Sequence, residues 1–271
     1  MILATHVFPG ALLGVGALAL PSLARRAPLG QKTAMPFLPL HDDNQLRVIP
    51  FQVVTTALIV ACVLVFAWQL TLPAADAGVT FVSLGLVPSS LLGLHPLPVP
   101  EAVPAGATLV TSLFLHAGWA HLIGNMLYLW VFGDNVEDAM GHVRFLLFFL
   151  LCGIAAGVVH AIVNIDSVVP TIGASGAVAG VLGAYLMLHP QVRVLCVALK
   201  RIPLRLPAHL LLGGWIAVQL YGAAHTDGGR PGGVAFWSHI GGFVAGALLV
   251  VPFRRRGLPL LGGLVGSRVR V

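Results

Sequence analysis

The sequence predicts an all-α, polytopic membrane helix bundle with six core transmembrane helices. Three observations predict it. First, 58% of the 271 residues are hydrophobic and only 9% are charged, where a soluble domain carries about 25% charged residues. Second, six apolar runs approach the roughly 20 residues that a spanning helix needs. Third, the cations sort by side. With the segment before residue 51 placed inside, Arg230 alone of the 15 Lys and Arg residues falls in an outer segment, the asymmetry of the positive-inside rule. One span more or fewer would scramble that split.

The same composition excludes an ordinary soluble protein and a disordered chain. The formal net charge is +6, but the basic residues flank apolar runs and form no phosphate-binding face, so no nucleic-acid partner is expected. Cys62, Cys152 and Cys196 are odd in number and scattered, with no CxxC pair. They give neither a disulfide framework nor a zinc site.

In chain order, residues 1–47 read as an N-terminal extension and cytoplasmic lead. Its apolar stretch 2–22 is broken by Pro9 and Pro21 and closed by Arg25 and Arg26. It lacks the basic start of a signal peptide. It is either an extra span or lies ahead of a translation start at Met35, and the short lead MPFLPLHDDNQLR favours the latter. The core domain, 48–252, holds spans at about 51–71, 118–134, 144–164, 175–189, 204–223 and 234–252. The outer loop from about 72 to 117 is too apolar for a free linker and is expected to pack on the helix ends at the membrane interface. Residues 253–271 form a basic cytoplasmic tail, so both ends of the six-span core face the cytoplasm.

Polar groups at membrane depth are costly, so each is a functional candidate. The second span opens with His116, His121 and Asn125, the fourth with Ser175, and the sixth with His239. Spans two, four and six run in the same direction, so these groups, scattered through the chain, meet at the outer end. His121 and Asn125 share one helix face by their i, i+4 spacing. The fourth span is short. Its length of about 22 Å in a core of about 30 Å sinks Ser175 on the order of 8 Å below the outer boundary. The loop Val169 to Ala174 then lines a water-filled cavity.

Small residues bring the spans together. Gly176 and Gly180 form a GxxxG, as do Gly242 and Gly246, and such faces let helix backbones approach closely. His239 lies on the glycine face of the sixth span, which sets an imidazole beside the Ser175 hydroxyl. A serine next to a histidine is an activated nucleophile. The helix N-terminus favours an oxyanion there, with the Ser175 backbone N–H, Asn125 and His121 as donors.

These motifs resemble the rhomboid family of intramembrane serine proteases. The resemblance covers about residues 48–252 and rests on His121-x-x-x-Asn125, Gly173-x-Ser175-Gly176 and His239-x-x-Gly242-x-x-x-Gly246 in order. The stretch from Trp130 to Asp138 is similar to the cytoplasmic turn after the second span of many bacterial members. The resemblance implies a Ser175–His239 dyad with no third acidic member. It implies transition-state support from Asn125, His121 and Gly173, and a place near the water-access region for His116. It implies single-span membrane proteins as substrates, a small residue before the cleaved bond, the lipid bilayer as surroundings, no cofactor and no metal. A multi-pass protein of the bacterial inner membrane is expected. Two positions depart from the pattern. Ala179 stands where many members carry an aromatic under the catalytic histidine, and Ala107-Thr108 stand where many carry Trp-Arg.

Ordinary roles compete with these. A serine in a membrane helix usually bonds its own backbone, and Ser112 and Ser238 get that reading. His121 and Asn125 could glue helices, and His116 could be an interface residue. Two other functions compete: a non-enzymatic rhomboid-like factor that binds membrane proteins, and a transporter with a metal path lined by His116, His121 and His239. The first class typically lacks one dyad residue, and the second has no acid or thiolate beside its histidines.

Overall fold

The computed structural model describes residues 37–198, 202–225 and 233–262. The stretch 2–22, Met35, Arg230 and residues 263–271 of the basic tail lie outside the described residues. The chain begins with strand β1 (Phe37–Asp42), followed by helices α1 (Val53–Thr71), α2 (Ala74–Leu84) and α3 (Pro88–Leu91). Single turns then lead through α4 (Thr108–Thr111) to α5 (Trp119–Met140), α6 (His142–Val163) and α7 (Ser175–Leu188). Strands β2 (Arg193–Ala198) and β3 (Ile202–Pro207) precede α8 (Ala208–His225) and α9 (Phe236–Phe253). The architecture is mostly helical. Its buried core is drawn from the helices, with Leu129, Phe132, Phe145, Phe148 and Tyr185 fully enclosed.

Among the described residues, α1, α6 and α9 are each long and apolar enough to cross a membrane. The segment Ala105–Phe114 and α5 would make a fourth crossing as a pair bent by 85°. Helix α7 has 14 residues, about 21 Å of rise, and is short for a core of about 30 Å. It packs against α5, α6 and α9, which bury most of its residues.

Three expectations are corrected. Helix α5, at the place of the expected second span, continues past 134 to Met140, so the stretch Trp130 to Asp138 is helix and not a turn. This inner stretch holds the acidic residues Asp134, Glu137 and Asp138, and all three carboxylates accept hydrogen bonds, Asp134 from the Asn135 backbone and side-chain nitrogens. The Asp138 carboxylate accepts the backbone N–H groups of Arg47, Val48 and Ile49 at 3.0, 2.8 and 2.7 Å. The Glu137 carboxylate accepts those of Val54 and Thr55 and the Thr55 hydroxyl at 2.9, 2.8 and 2.7 Å. These bonds satisfy N–H groups that the first turn of α1 cannot pair within its own helix.

Helix α8, at the place of the expected fifth span, starts at Ala208, not near 204, because residues 202–207 pair as a strand. The helical bundle also carries a sheet that the sequence reading lacked. It is antiparallel in the order β1-β2-β3. Phe37 faces Ala198 and Asp42 faces Val194, with a bulge between Pro39 and His41. Strand β1 lies ahead of the boundary at residue 48 and is tied to the bundle by more than pairing: the Tyr185 hydroxyl of α7 donates to Asp42 at 2.5 Å.

The interhelix approach expected from the glycines is present. A methyl group on Gly242 would overlap the Gly176 carbonyl, and one on Gly246 the Gly180 carbonyl. On Gly176 it would lie 2.6 Å from Ala156 Cβ, and on Gly180 2.5 Å from Cys152 Cβ. Backbone contact between α7 and α9, and wedging of α7 against α6, both depend on hydrogen at these Cα atoms.

Candidate active site

Ser175 is the first residue of α7, and His239 lies in the first turn of α9. Their helices meet at the Gly176–Gly242 contact, one residue beyond Ser175 and one turn beyond His239. The consequence is direct: His239 Nε2 lies 2.9 Å from Ser175 Oγ. At the start of a helix the Ser175 and Gly176 N–H groups have no intrahelical acceptor and point with the positive end of the helix dipole.

Gly173 precedes this start with φ +113°, a backbone conformation that glycine adopts without strain. A Cβ there would lie 2.5 Å from His121 Nε2 and 3.6 Å from Asn125 Nδ2. Gly173 thus leaves room for two side chains of α5 to reach the loop just before Ser175. Its own N–H is committed to the Ser112 carbonyl at 2.8 Å. The expected support from Gly173 is therefore space and conformation, not a donated hydrogen bond.

The His121 tautomer follows from its partner. The Ala117 N–H donates to His121 Nδ1 at 3.4 Å, so Nε2 carries the ring proton and is a donor facing Gly173. The Asn125 Nδ2 group is buried with no hydrogen-bond partner among the described residues. Two donors on α5 thus converge on the Ser175 entrance, one of them unpaired, at a site where unpaired polar groups are costly.

His116 is buried, with its ring edge-on to His121 at 5.2 Å between centroids. Its Nδ1–H donates to the Phe114 carbonyl at 3.2 Å, so Nε2 is an acceptor, and that atom is buried without a partner among the described residues. The Gln69 side chain bridges α1 to the His116 backbone, accepting its N–H at 3.0 Å and donating to its carbonyl at 3.1 Å. The outer loop is thereby packed onto helix ends.

Two residues near the site escaped the sequence reading. His160 on α6 pairs through Nε2 with the Thr171 hydroxyl at 2.9 Å. With the Leu86–Thr171 bridge, it pins the loop that leads to Ser175. Gln219 on α8 meets His239 on the side away from Ser175, with Oε1 2.7 Å from Nδ1. Both are polar groups inside apolar runs, the signal that singled out Ser175 and His239. Trp215, one turn before Gln219, sets its ring 5.7 Å from His239 and also stacks on Phe243. Trp215 is thus an aromatic neighbour of His239, while Ala179 is fully buried.

Among the described residues, no three His, Cys, Asp or Glu side chains cluster as metal ligands would. Ser175, His239, His121 and Asn125 converge, and His116 stands behind His121.

Comparison with known proteins gives one family. Residues 105–256 match the model of the rhomboid domain. The chain is 35% identical to rhomboid protease GluP of Bacillus subtilis over 144 residues, 53% of this chain and 26% of that protein. It is 38% identical over 88 residues to Rhomboid-like protein 11, chloroplastic, of Arabidopsis thaliana, 32% of this chain and 31% of that one. It is 29% identical over 154 residues to Rhomboid protein 1, mitochondrial, of Saccharomyces cerevisiae, 55% of this chain and 42% of that one. The chain thus spans well under half the length of these relatives. The matched region contains both glycine pairs and every polar group that converges on Ser175, and more than half of the chain lies within it: this protein belongs to the rhomboid family of membrane proteins.

Proposed function

We propose that the chain is an intramembrane serine endopeptidase that cleaves single-span membrane proteins within or near their transmembrane helix. The observation that carries this reading is the 2.9 Å approach of His239 Nε2 to Ser175 Oγ at the sunken start of α7. Family membership and the similarity to rhomboid protease GluP of Bacillus subtilis support it.

The chemistry follows from the geometry. His239 Nε2 takes the Ser175 hydroxyl proton as Oγ attacks the scissile carbonyl carbon. Charge builds on the carbonyl oxygen, facing the Ser175 N–H, the Asn125 amide and His121 Nε2–H. The unpaired Asn125 amide gains its missing partner only when that oxyanion forms, which is how an interaction specific to the transition state accelerates a reaction. Collapse passes the proton from Nε2 to the leaving amine and leaves an acyl-enzyme on Ser175. Water, deprotonated by His239, then hydrolyses the ester. A substrate helix that unwinds easily near the outer boundary, with a small residue before the cleaved bond, fits a nucleophile below that boundary. Six spans with both core termini in the cytoplasm suit this arrangement.

The test is proteolysis of a fluorescent single-span substrate in liposomes. Cleavage by the wild type, lost in Ser175→Ala and in His239→Ala and indifferent to chelator, is the expected result. A folded wild type inert across varied substrates would favour the binding factor. Cleavage abolished by chelator would overturn the dyad.

A further inference from the structure

On the reading that Ser175 and His239 react, we propose that Gln219 is the positioning residue of the pair, fixing the His239 tautomer and ring orientation from α8. The donor and acceptor inventory carries the proposal. Gln219 Nε2 donates to the Trp215 carbonyl, one helical turn back, at 3.5 Å. A carbonyl only accepts, so the amide is oriented with its nitrogen toward Trp215 and its oxygen toward His239. That oxygen also only accepts, so His239 Nδ1 carries the ring proton and donates at 2.7 Å. Nε2 is then a bare lone pair facing the Ser175 hydroxyl at 2.9 Å. Each bond sets the direction of the next, and the imidazole is held as the tautomer that can take the serine proton.

Burial makes the arrangement matter. Gln219 is 7% exposed and His239 8% exposed. A buried ring N–H without an acceptor is costly, so with Gln219 removed the ring gains by turning or by changing tautomer. The Trp215 ring restrains the imidazole plane but offers Nδ1 no acceptor. The ionisable groups that act on His239 from the other packed helices are His121 on α5 and His160 on α6, and neither is a carboxylate. Gln219 therefore stands where an acidic third member stands in a Ser-His-Asp triad, but it stabilises the imidazolium with a dipole and not with a charge. It takes up no proton during the reaction.

The experiment uses the full chain in liposomes with a fluorescent single-span substrate, comparing wild type, Gln219→Met and Gln219→Glu, with Ser175→Ala as control. Methionine keeps the length and bulk and removes the acceptor. It should lower kcat about 10- to 100-fold, the factor a lost hydrogen bond to the imidazolium is worth, with KM nearly unchanged. Glutamate restores an acceptor and adds charge. It should recover most of the lost kcat and move the acid limb of the kcat/KM profile to higher pH, because a carboxylate beside Nδ1 favours the imidazolium. In protein labelled with 15N at the histidine rings, His239 should appear as the Nδ1–H tautomer, and in Gln219→Met as a mixture. That readout does not depend on turnover.

A wild-type kcat in Gln219→Met overturns the proposal, as does an Nε2–H tautomer in the wild type. A loss confined to KM would assign Gln219 to substrate contact instead. Equal losses in both variants, with an unmoved pH profile and a lowered Tm, would reduce it to packing. Cleavage surviving in Ser175→Ala would overturn the dyad itself, a result separable from all of these.

Discussion

Gly242→Ala is the substitution that ties packing to chemistry most tightly. The new methyl would overlap the Gly176 carbonyl oxygen and lie 2.9 Å from its carbon. A carbon approaches a carbonyl oxygen no closer than about 3.3 Å, so relieving the overlap with that oxygen requires α7 and α9 to part by about 1.4 Å at this level. Ser175 adjoins Gly176, and His239 is one turn from Gly242, so the same displacement falls on the reacting pair. The Nε2···Oγ distance of 2.9 Å would open to about 4.3 Å, beyond hydrogen-bond range. Overpacking of this kind costs about 1–3 kcal/mol, which lowers Tm without unfolding the protein. Losing general-base assistance costs much more in rate, about 100-fold or more in kcat. The assay is kcat on a single-span substrate alongside Tm, with Gly213→Ala as control. A methyl on Gly213 would meet no atom within 4 Å, so activity should hold and α8 should gain up to about 1 kcal/mol of helix propensity. A folded Gly242→Ala enzyme with kcat within about threefold of wild type would refute the coupling between glycine contact and dyad geometry.

Three further outcomes are expected. Asn125→Ala should lower kcat about 100-fold with Tm unchanged, because the amide nitrogen has no partner to lose among the described residues; a large fall in Tm would make Asn125 helix glue instead. Glu137→Ala strips acceptors from two backbone N–H groups and the Thr55 hydroxyl, and equilibrium unfolding in detergent should show a loss of about 2–4 kcal/mol; a change below about 0.5 kcal/mol would remove it as the anchor of α1. Burial pushes the Asp42 carboxyl of β1 above its ordinary range, although the Tyr185 hydroxyl bond opposes the shift. A carboxyl raised in the folded state stabilises fully below its unfolded pKa and loses that contribution as pH rises through the folded value. Tm should therefore fall across that interval in the wild type and be flatter in Asp42→Asn, and equal slopes would contradict the assignment.

The sequence carried the residues of the site because the membrane makes polarity conspicuous. Ser175, His239, His121 and Asn125 stand out against apolar runs, and their common side followed from cation asymmetry alone. Gln219 and His160 carry the same signal, but only tertiary contact shows that Gln219 meets His239 on α9 and that His160 meets Thr171 in the loop before Ser175. The Gly173 N–H illustrates a different limit. Its spacing before Ser175 was legible, but the claim of Ser112 on its donor depends on where the outer loop packs. The sheet was hidden because its strands are short, β1 and β3 contain proline, and β1 pairs far along the chain, with Phe37 facing Ala198. The inner end of α5 was hidden for the converse reason: an acidic stretch reads as a loop until its carboxylates are seen accepting backbone N–H groups.

The central claim is that Ser175 is a nucleophile activated by His239. Mass-spectrometric mapping of the adduct left by a membrane-permeant fluorophosphonate tests it most directly, since the reagent needs an activated serine and no matching substrate. A single adduct on Ser175 in the wild type, absent from His239→Ala, is the predicted result. Labelling of Ser238 or Ser112 in place of Ser175, or equal labelling of Ser175 without His239, would contradict it.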